Sequence, residues 1–293
     1  MNMNLGDLFA ILTALCWSSA VILFDLSGRL FSSIQISLIK NFIGVIGFIC
    51  TIFIFDINFF DFSFFEIITL LLSGIIGVAI GDLLFLKSLS IVGSGISAII
   101  ATAYAPTIIL FAFIFFNEVI TKYVFIGAIL ISCAIIIGTA EKISGITKKQ
   151  VFKAVLFGLL AQLLTAISVL MVRPIMEDHS IISIALIRFG IGLLITLLFL
   201  LIKNGTKSMK LTFTLGFKNP YIIMGSILGT YLSVIFWLAG FKYTLAGRAA
   251  IYNELSFILI IIMASVFLKE PMTKRKWISV FIAISGALIV SFN

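Results

Sequence analysis

A tyrosine, an asparagine and a glutamate stand in a row at Tyr252-Asn253-Glu254, inside a stretch that is otherwise apolar. Lys40, Asp82, Gln162 and Arg188 also interrupt apolar stretches. An ionisable group at mid-bilayer costs about 2.5–3.5 kcal/mol on insertion scales, so each is a candidate for work on a solute or an ion. The chemistry such a set offers is hydrogen bonding, ion pairing and proton uptake by Asp82 or Glu254. Each residue also has a plainer reading. Lys40 and Arg188 lie near enough to span ends to snorkel. Asp82 has Lys87 about one turn on as a partner. Gln162 and the Tyr252–Glu254 group suit helix–helix bonding as well as solute binding. Trp17 and Trp237 suit core packing as well as an aromatic cavity wall. Tyr104 occupies the part of its span that corresponds to the Tyr252–Glu254 group, and Pro106 beside it predicts a kink.

No catalytic constellation is visible. The sequence holds no GxSxG, no HExxH and no Gly-rich phosphate loop, which disfavours an enzyme and an ATP-driven pump. His179 is the single histidine, too few for a zinc site or a triad. Cys16, Cys50 and Cys133 lie in apolar stretches without CxxC spacing and read as small core residues. No metal or cofactor is implied.

The elements that carry these residues are membrane spans. Hydrophobic residues make up 62% of the 293 positions and charged ones 11%, against about 45–50% and about 25% in soluble domains. A bilayer core takes about 20 apolar residues per helix. The chain supplies ten such stretches, at 5–26, 34–55, 66–86, 93–116, 121–139, 152–172, 180–202, 219–241, 247–267 and 276–292. Breaks are predicted at Gly93-Ser94-Gly95, Asn204-Gly205 and Asn219-Pro220. The polar segments Glu141–Gln150 and Lys203–Asn219 are too short to build cores of their own. Met1–Asn4 lacks a basic n-region and a cleavage site, so the first stretch reads as a retained span.

The second half repeats the first. Lys40 and Arg188 match at an offset of 148, as do Gly44 and Gly192. Further on the offset is 152: Gly95 meets Gly247, Ala98 meets Ala250, and Glu118 meets Glu270. The halves are 1–140 and 152–293, joined by a linker at 141–151. Five spans per half is an odd number, so the second half enters the membrane from the opposite side. The expected fold is an all-α polytopic membrane protein of ten helices in two inverted repeats.

The arrangement resembles the EamA-type transporters of the drug/metabolite transporter superfamily. The resemblance rests on Ala14-Leu15-Cys16-Trp17-Ser18, Gly81-Asp82-Leu83-Leu84-Phe85, Pro106–Glu118 and Lys269-Glu270-Pro271-Met272-Thr273. The second repeat departs from it, with Thr165 where the tryptophan would be and Ile258 opposite Pro106. The resemblance implies a central substrate cavity and the export of an amino acid or another small metabolite. It also places glutamate at 118 and 270. These read as braces of the next helix, with Lys122 and Lys274 as their partners.

The net charge of +8 reads as loop charge that orients the chain, not as a nucleic-acid surface. The loop charges place both termini outside; the resemblance places them inside. The expected function is secondary transport of a small solute across the cell membrane, in contact with lipid and with protons as a candidate coupling ion. Rivals are a lipid or lipid-linked sugar flippase on the same scaffold, a membrane-embedded enzyme, and a non-transporting receptor.

Overall fold

The computed structural model describes residues 4–57, 61–116, 122–139 and 146–290. Among them every regular element is a helix. In order these are α1 (Leu5–Ser27), α2 (Ser33–Phe55), α3 (Phe64–Ser73), α4 (Asp82–Ala101), α5 (Tyr104–Phe116), α6 (Lys122–Thr139), α7 (Lys148–Val172), α8 (Ile175–Asp178), α9 (Ile181–Gly216), α10 (Pro220–Ser226), α11 (Ser233–Tyr243), α12 (Ala246–Asn253), α13 (Leu255–Phe267) and α14 (Lys274–Val290). Two π-helical segments, Gly74–Gly81 and Ile227–Leu232, join α3 to α4 and α10 to α11.

Seven helical stretches of the described residues are long and apolar enough to cross a membrane. They are Leu5–Ser27, Ser33–Phe55, Phe64–Ala101, Lys148–Val172, Ile181–Gly216, Pro220–Tyr243 and Ala246–Phe267. Their outer faces are apolar: Phe53 is 81% exposed and Ile202 86%. Surface of that kind is at home in lipid and costly in water. Cys50 and Cys133 lie on the exposed surface and Cys16 is half-buried, so the expectation of three core cysteines is corrected. In a membrane protein the outer surface is as apolar as the core, and a small apolar residue suits either.

Polar caps set the helix starts. Asn4 and Asp7 form a capping box, with Asp7 N–H donating to Asn4 Oδ1 at 2.9 Å and Asn4 N–H to Asp7 Oδ2 at 2.8 Å. Asn219 Oδ1 accepts from the N–H groups of Tyr221 and Ile222, ahead of Pro220 in the first turn of α10. Both satisfy donors that a helix start leaves free.

The mid-span breaks recur in the two halves. Gly93 adopts φ +75° and interrupts α4. Its counterpart at an offset of 152 is Leu245, the N-cap of α12. The stretch 94–101 ends α4 as 246–253 makes up α12, and α5 and α13 follow. The π segment Gly74–Gly81 maps to 226–233, which encloses Ile227–Leu232. The kink expected at Pro106 is instead a break upstream at Thr102-Ala103. Pro106 lies in the first turn of α5, where its missing N–H costs nothing.

Gly205 also breaks its helix, at φ +75°, but the chain resumes as helix over 206–216 where a polar loop was expected. Met209, Thr212, Phe213 and Gly216 recur at helical spacing. Thr212 accepts a hydrogen bond from Gln35 Nε2 at 2.9 Å, and Phe213 packs edge-on against Phe42 at 5.1 Å. One packed face of α2 outweighs the lysines on the open face of this segment.

Helix α1 packs against α11 and α13, α4 against α7, α2 against α9, and α6 against α14. The bundle has two polar ends. At one, Asn4 bonds Thr244, Asp7 pairs with Arg248, and Glu66 pairs with His179. At the other, Asp25 accepts from Ser94 N–H, Glu270 pairs with Lys276, and Lys87 and Lys153 both lie over Phe157.

Candidate functional site

A cavity with a free volume of about 120 Å³ lies in the middle of the bundle. Its depth follows from Trp17, the thirteenth of the 23 residues of α1. The two π segments form part of its wall through Gly77-Val78 and Gly229-Thr230. A Cβ at Gly77 would collide with Ser168, and one at Gly229 with Ala20. Only glycine lets the neighbouring helices approach that closely. The π geometry widens the helix there and turns side chains toward the cavity.

Much of the lining comes in register-matched pairs. Trp17 and Thr165, and Lys40 and Arg188, are 148 residues apart. Gly77 and Gly229, Val78 and Thr230, Asp82 and Val234, Phe85 and Trp237, and Tyr104 and Ser256 are 152 apart. Both halves therefore present the same positions to one space.

Polar side chains meet across that space. Lys40 Nζ donates to Asp82 Oδ2 at 2.5 Å and to Asn41 Oδ1 at 3.0 Å, and stands over the Phe189 ring at 5.5 Å. Lys40 is 2% exposed and Arg188 1%, so neither snorkels. Lys40 is the partner of Asp82, while Lys87 turns to Phe157. Arg188 Nη2 donates to Ser168 Oγ at 3.1 Å, and its guanidinium lies 5.5 Å from the Trp237 ring. Trp237 Nε1 donates to Tyr104 Oη at 3.1 Å. Trp17 packs on Phe85 with ring centroids 5.6 Å apart. Gln162 and Asn253 complete the expected residues found in the lining.

Tyr252 and Glu254 lie outside the lining, so of the Tyr252–Glu254 group Asn253 alone joins Tyr104 at this cavity. Glu254 is buried and accepts the N–H of Ala105 at 3.1 Å. The reason is helix rotation: Glu254 keeps helical backbone angles, and one step along a helix turns the side chain by about 100°, which takes it off the cavity face. Tyr252 lies 6.0 Å from the guanidinium of Arg248.

Glu270 accepts from Ser94 Oγ at 3.2 Å and Gly95 N–H at 3.3 Å. Its lysine is Lys276, at 3.0 Å, in place of the expected Lys274. Lys274 opens α14, and Lys276 is two positions further along its first turn. Lys122 opens α6 and stands over the Tyr123 ring; Glu118 lies outside the described residues.

Small polar residues of the lining escaped the sequence reading: Thr13, Ser168, Thr230, Ser233 and Ser256. The repeat offset carries a signal for two of them. Applied to Val78 and Tyr104, it points to Thr230 and Ser256.

Apolar spans around a central cavity into which polar side chains project define a multi-pass integral membrane protein of the transporter class. The sequence matches the EamA-like transporter family twice, over residues 4–139 and 152–292, and the chain belongs to that family. It is 33% identical over 105 residues to "Uncharacterized transporter YyaM" of Bacillus subtilis (strain 168). That match takes in 35% of this chain and 32% of the relative, so it spans about a third of the relative's length. A protein crystal structure aligns with a TM-score of 0.71 at 13% identity, over 98% of this chain and 96% of the other, and shows a shared fold.

Proposed function

We propose that the chain is a secondary transporter of a small organic metabolite, an amino acid or a related compound, working in the direction of export. Ten spans form two inverted five-helix repeats in this reading. The described residues supply seven long stretches, one of which, Phe64–Ala101, is interrupted at Gly93; its part 94–101 joins α5 as a further span, and α6 and α14 supply the rest. Helix α1 against α11 answers to α7 against the third span, while α2–α9 and α6–α14 each pair with their own counterpart, as a two-fold axis in the membrane plane requires. Rocking of one repeat on the other would open the cavity to each side in turn.

The observation that carries this reading is the pairing of cavity residues at the repeat offsets. A site shared by two halves of opposite orientation can face either side of the membrane with little change in its own contacts. A membrane-embedded enzyme fits less well. Among the described lining residues Asp82 is the carboxylate and no histidine accompanies it, so the acid–base pair of a transferase is missing.

The test is to profile metabolites inside and outside cells with and without overexpression, then to measure counterflow of the enriched compound in proteoliposomes. Saturable exchange of one small solute is expected. Lipid scrambling without solute exchange would instead indicate a flippase.

A further inference from the structure

The two cations of the cavity hold the same register but differ in what surrounds them. Lys40 is held by Asp82 and Asn41. Their counterparts in the second half are Val234, at an offset of 152, and Phe189, at 148. At both positions that supply acceptors to Lys40, the second half thus carries an apolar residue. Arg188 keeps one hydrogen bond, to Ser168, and the face of Trp237. Its Nε and Nη1 are buried without a hydrogen-bond partner. Among the described residues no carboxylate forms a salt bridge with it; Asp82, paired with Lys40, acts on it only through space.

A buried guanidinium with unused donors is costly unless an anion reaches it. Its planar fork suits an oxyanion, a carboxylate above all. Two other lining residues, Thr230 and Asn253, also have a buried polar atom without a partner, at Oγ1 and Oδ1. Each could accept a hydrogen bond from a donor on the same solute.

Resting on the reading of the cavity as a transport site, we infer that its solute carries a carboxylate seated on Arg188, so that the solute supplies the anion the second repeat lacks. The apolar remainder lies against Trp17 and Phe85, and a hydroxyl or ammonium meets Thr230 and Asn253. Asp82 stays with Lys40 and is not the solute's partner.

The experiment uses the purified full chain in nanodiscs and a panel of small carboxylic acids, each beside its uncharged amide, with inorganic phosphate as a separate arm. Thermal stabilisation by at least one acid, and not by its amide, is expected; stabilisation by phosphate alone would assign the site to a phosphate ester instead and overturn the carboxylate. Arg188→Gln should weaken the apparent affinity for that acid by about ten- to a hundredfold, and Arg188→Lys by less. Because Arg188→Gln risks poor folding, Val234→Asp is the second variant. It restores the missing acid from within, so it should raise the melting temperature and abolish stabilisation by the acid. An amide that stabilises as well as its acid, or a panel in which no acid stabilises, overturns the inference. So does Val234→Asp binding the acid as the unmodified chain does. The two readings fail separately. If a neutral solute is exchanged and Arg188→Gln carries it undiminished, the carboxylate site is wrong and transport stands. If an acid binds through Arg188 but no solute crosses, the site stands and transport is wrong.

Discussion

The carboxylate of Glu254 accepts the backbone N–H of Ala105 at 3.1 Å, so a side chain at the break of one repeat caps the helix that restarts at the break of the other. Ala105 is the second residue of α5, and its N–H has no carbonyl within the helix to receive it. Glu254→Ala should therefore destabilise the protein by about 1–3 kcal/mol, the cost of orphaning a buried donor. Glu254→Gln keeps an acceptor oxygen and should cost clearly less. Thermal unfolding of both variants in the same detergent checks this. Equal losses for Ala and Gln would show that the charge, not the cap, is what Glu254 contributes.

Of the two candidates for a coupling acid, Asp82 is the better placed. It lines the cavity and is in contact with Lys40, whereas Glu254 faces a backbone amide. Asp82→Asn should abolish solute uptake driven by a pH gradient in vesicles and leave exchange without a gradient measurable. The pair is also structural. Lys40→Met and Asp82→Leu should each destabilise the protein, and the double variant should lose less than the sum, with a coupling of about 1–3 kcal/mol. Full gradient-driven uptake by Asp82→Asn would remove protonation of this carboxyl from the cycle.

Much of this architecture is legible in the sequence, because apolar length and glycine punctuation act locally. Gly93 and Gly205 read as breaks and both adopt positive φ. The offsets of 148 and 152 come from matched letters alone, and they pair the residues that line the cavity. What was not legible depends on rotation about a helix axis. Asn253 is in the lining and its neighbour Glu254 is behind it, and the rotation of one helical step decides which way each points. The partner of Asp82 was obscured for a related reason. Lys87 is near in sequence, but Lys40 comes from α2, and only packing of α2 beside the third span brings it there. From sequence the segment 206–216 reads as a loop because the lysines at 207 and 210 outweigh Met209 and Phe213, whose face meets α2.

Glu270 is a brace. It accepts from Ser94 and Gly95 where α4 resumes after Gly93, and Lys276 holds it in place. Glu270→Gln should lower expression and melting temperature more than apparent affinity for solute. Lys276→Ala should reproduce the defect, weakened to about 1 kcal/mol because the pair is partly exposed, while Lys274→Ala should not. A variant of Glu270 with normal expression and a large loss of affinity would move this residue from the frame to the site.

The two polar ends of the bundle differ in charge, and that difference predicts the orientation. The end gathered around Ser94 and Lys276 carries Arg29, Lys87, Lys148, Lys149, Lys153, Lys203, Lys207, Lys210, Lys218, Lys269, Lys274 and Arg275 in its helix termini and connections. The end that holds Asn4 has Lys122, Arg173, Lys242 and Arg248 set against Asp7, Asp56, Asp61, Glu66, Glu177 and Asp178. Lysine and arginine in short loops face the cytoplasm. The basic helix 206–216 strengthens the effect, since a lysine near an anionic leaflet gains about 1 kcal/mol of attraction. The N-terminus should then lie outside the cell. A protease site fused ahead of Met1 should be cut in intact cells, with a cytoplasmic reporter left whole as the control for lysis. Cleavage only after the cells are opened would put the basic end outside. In that case the chain's orientation would be set by its family's architecture against its own loop charges.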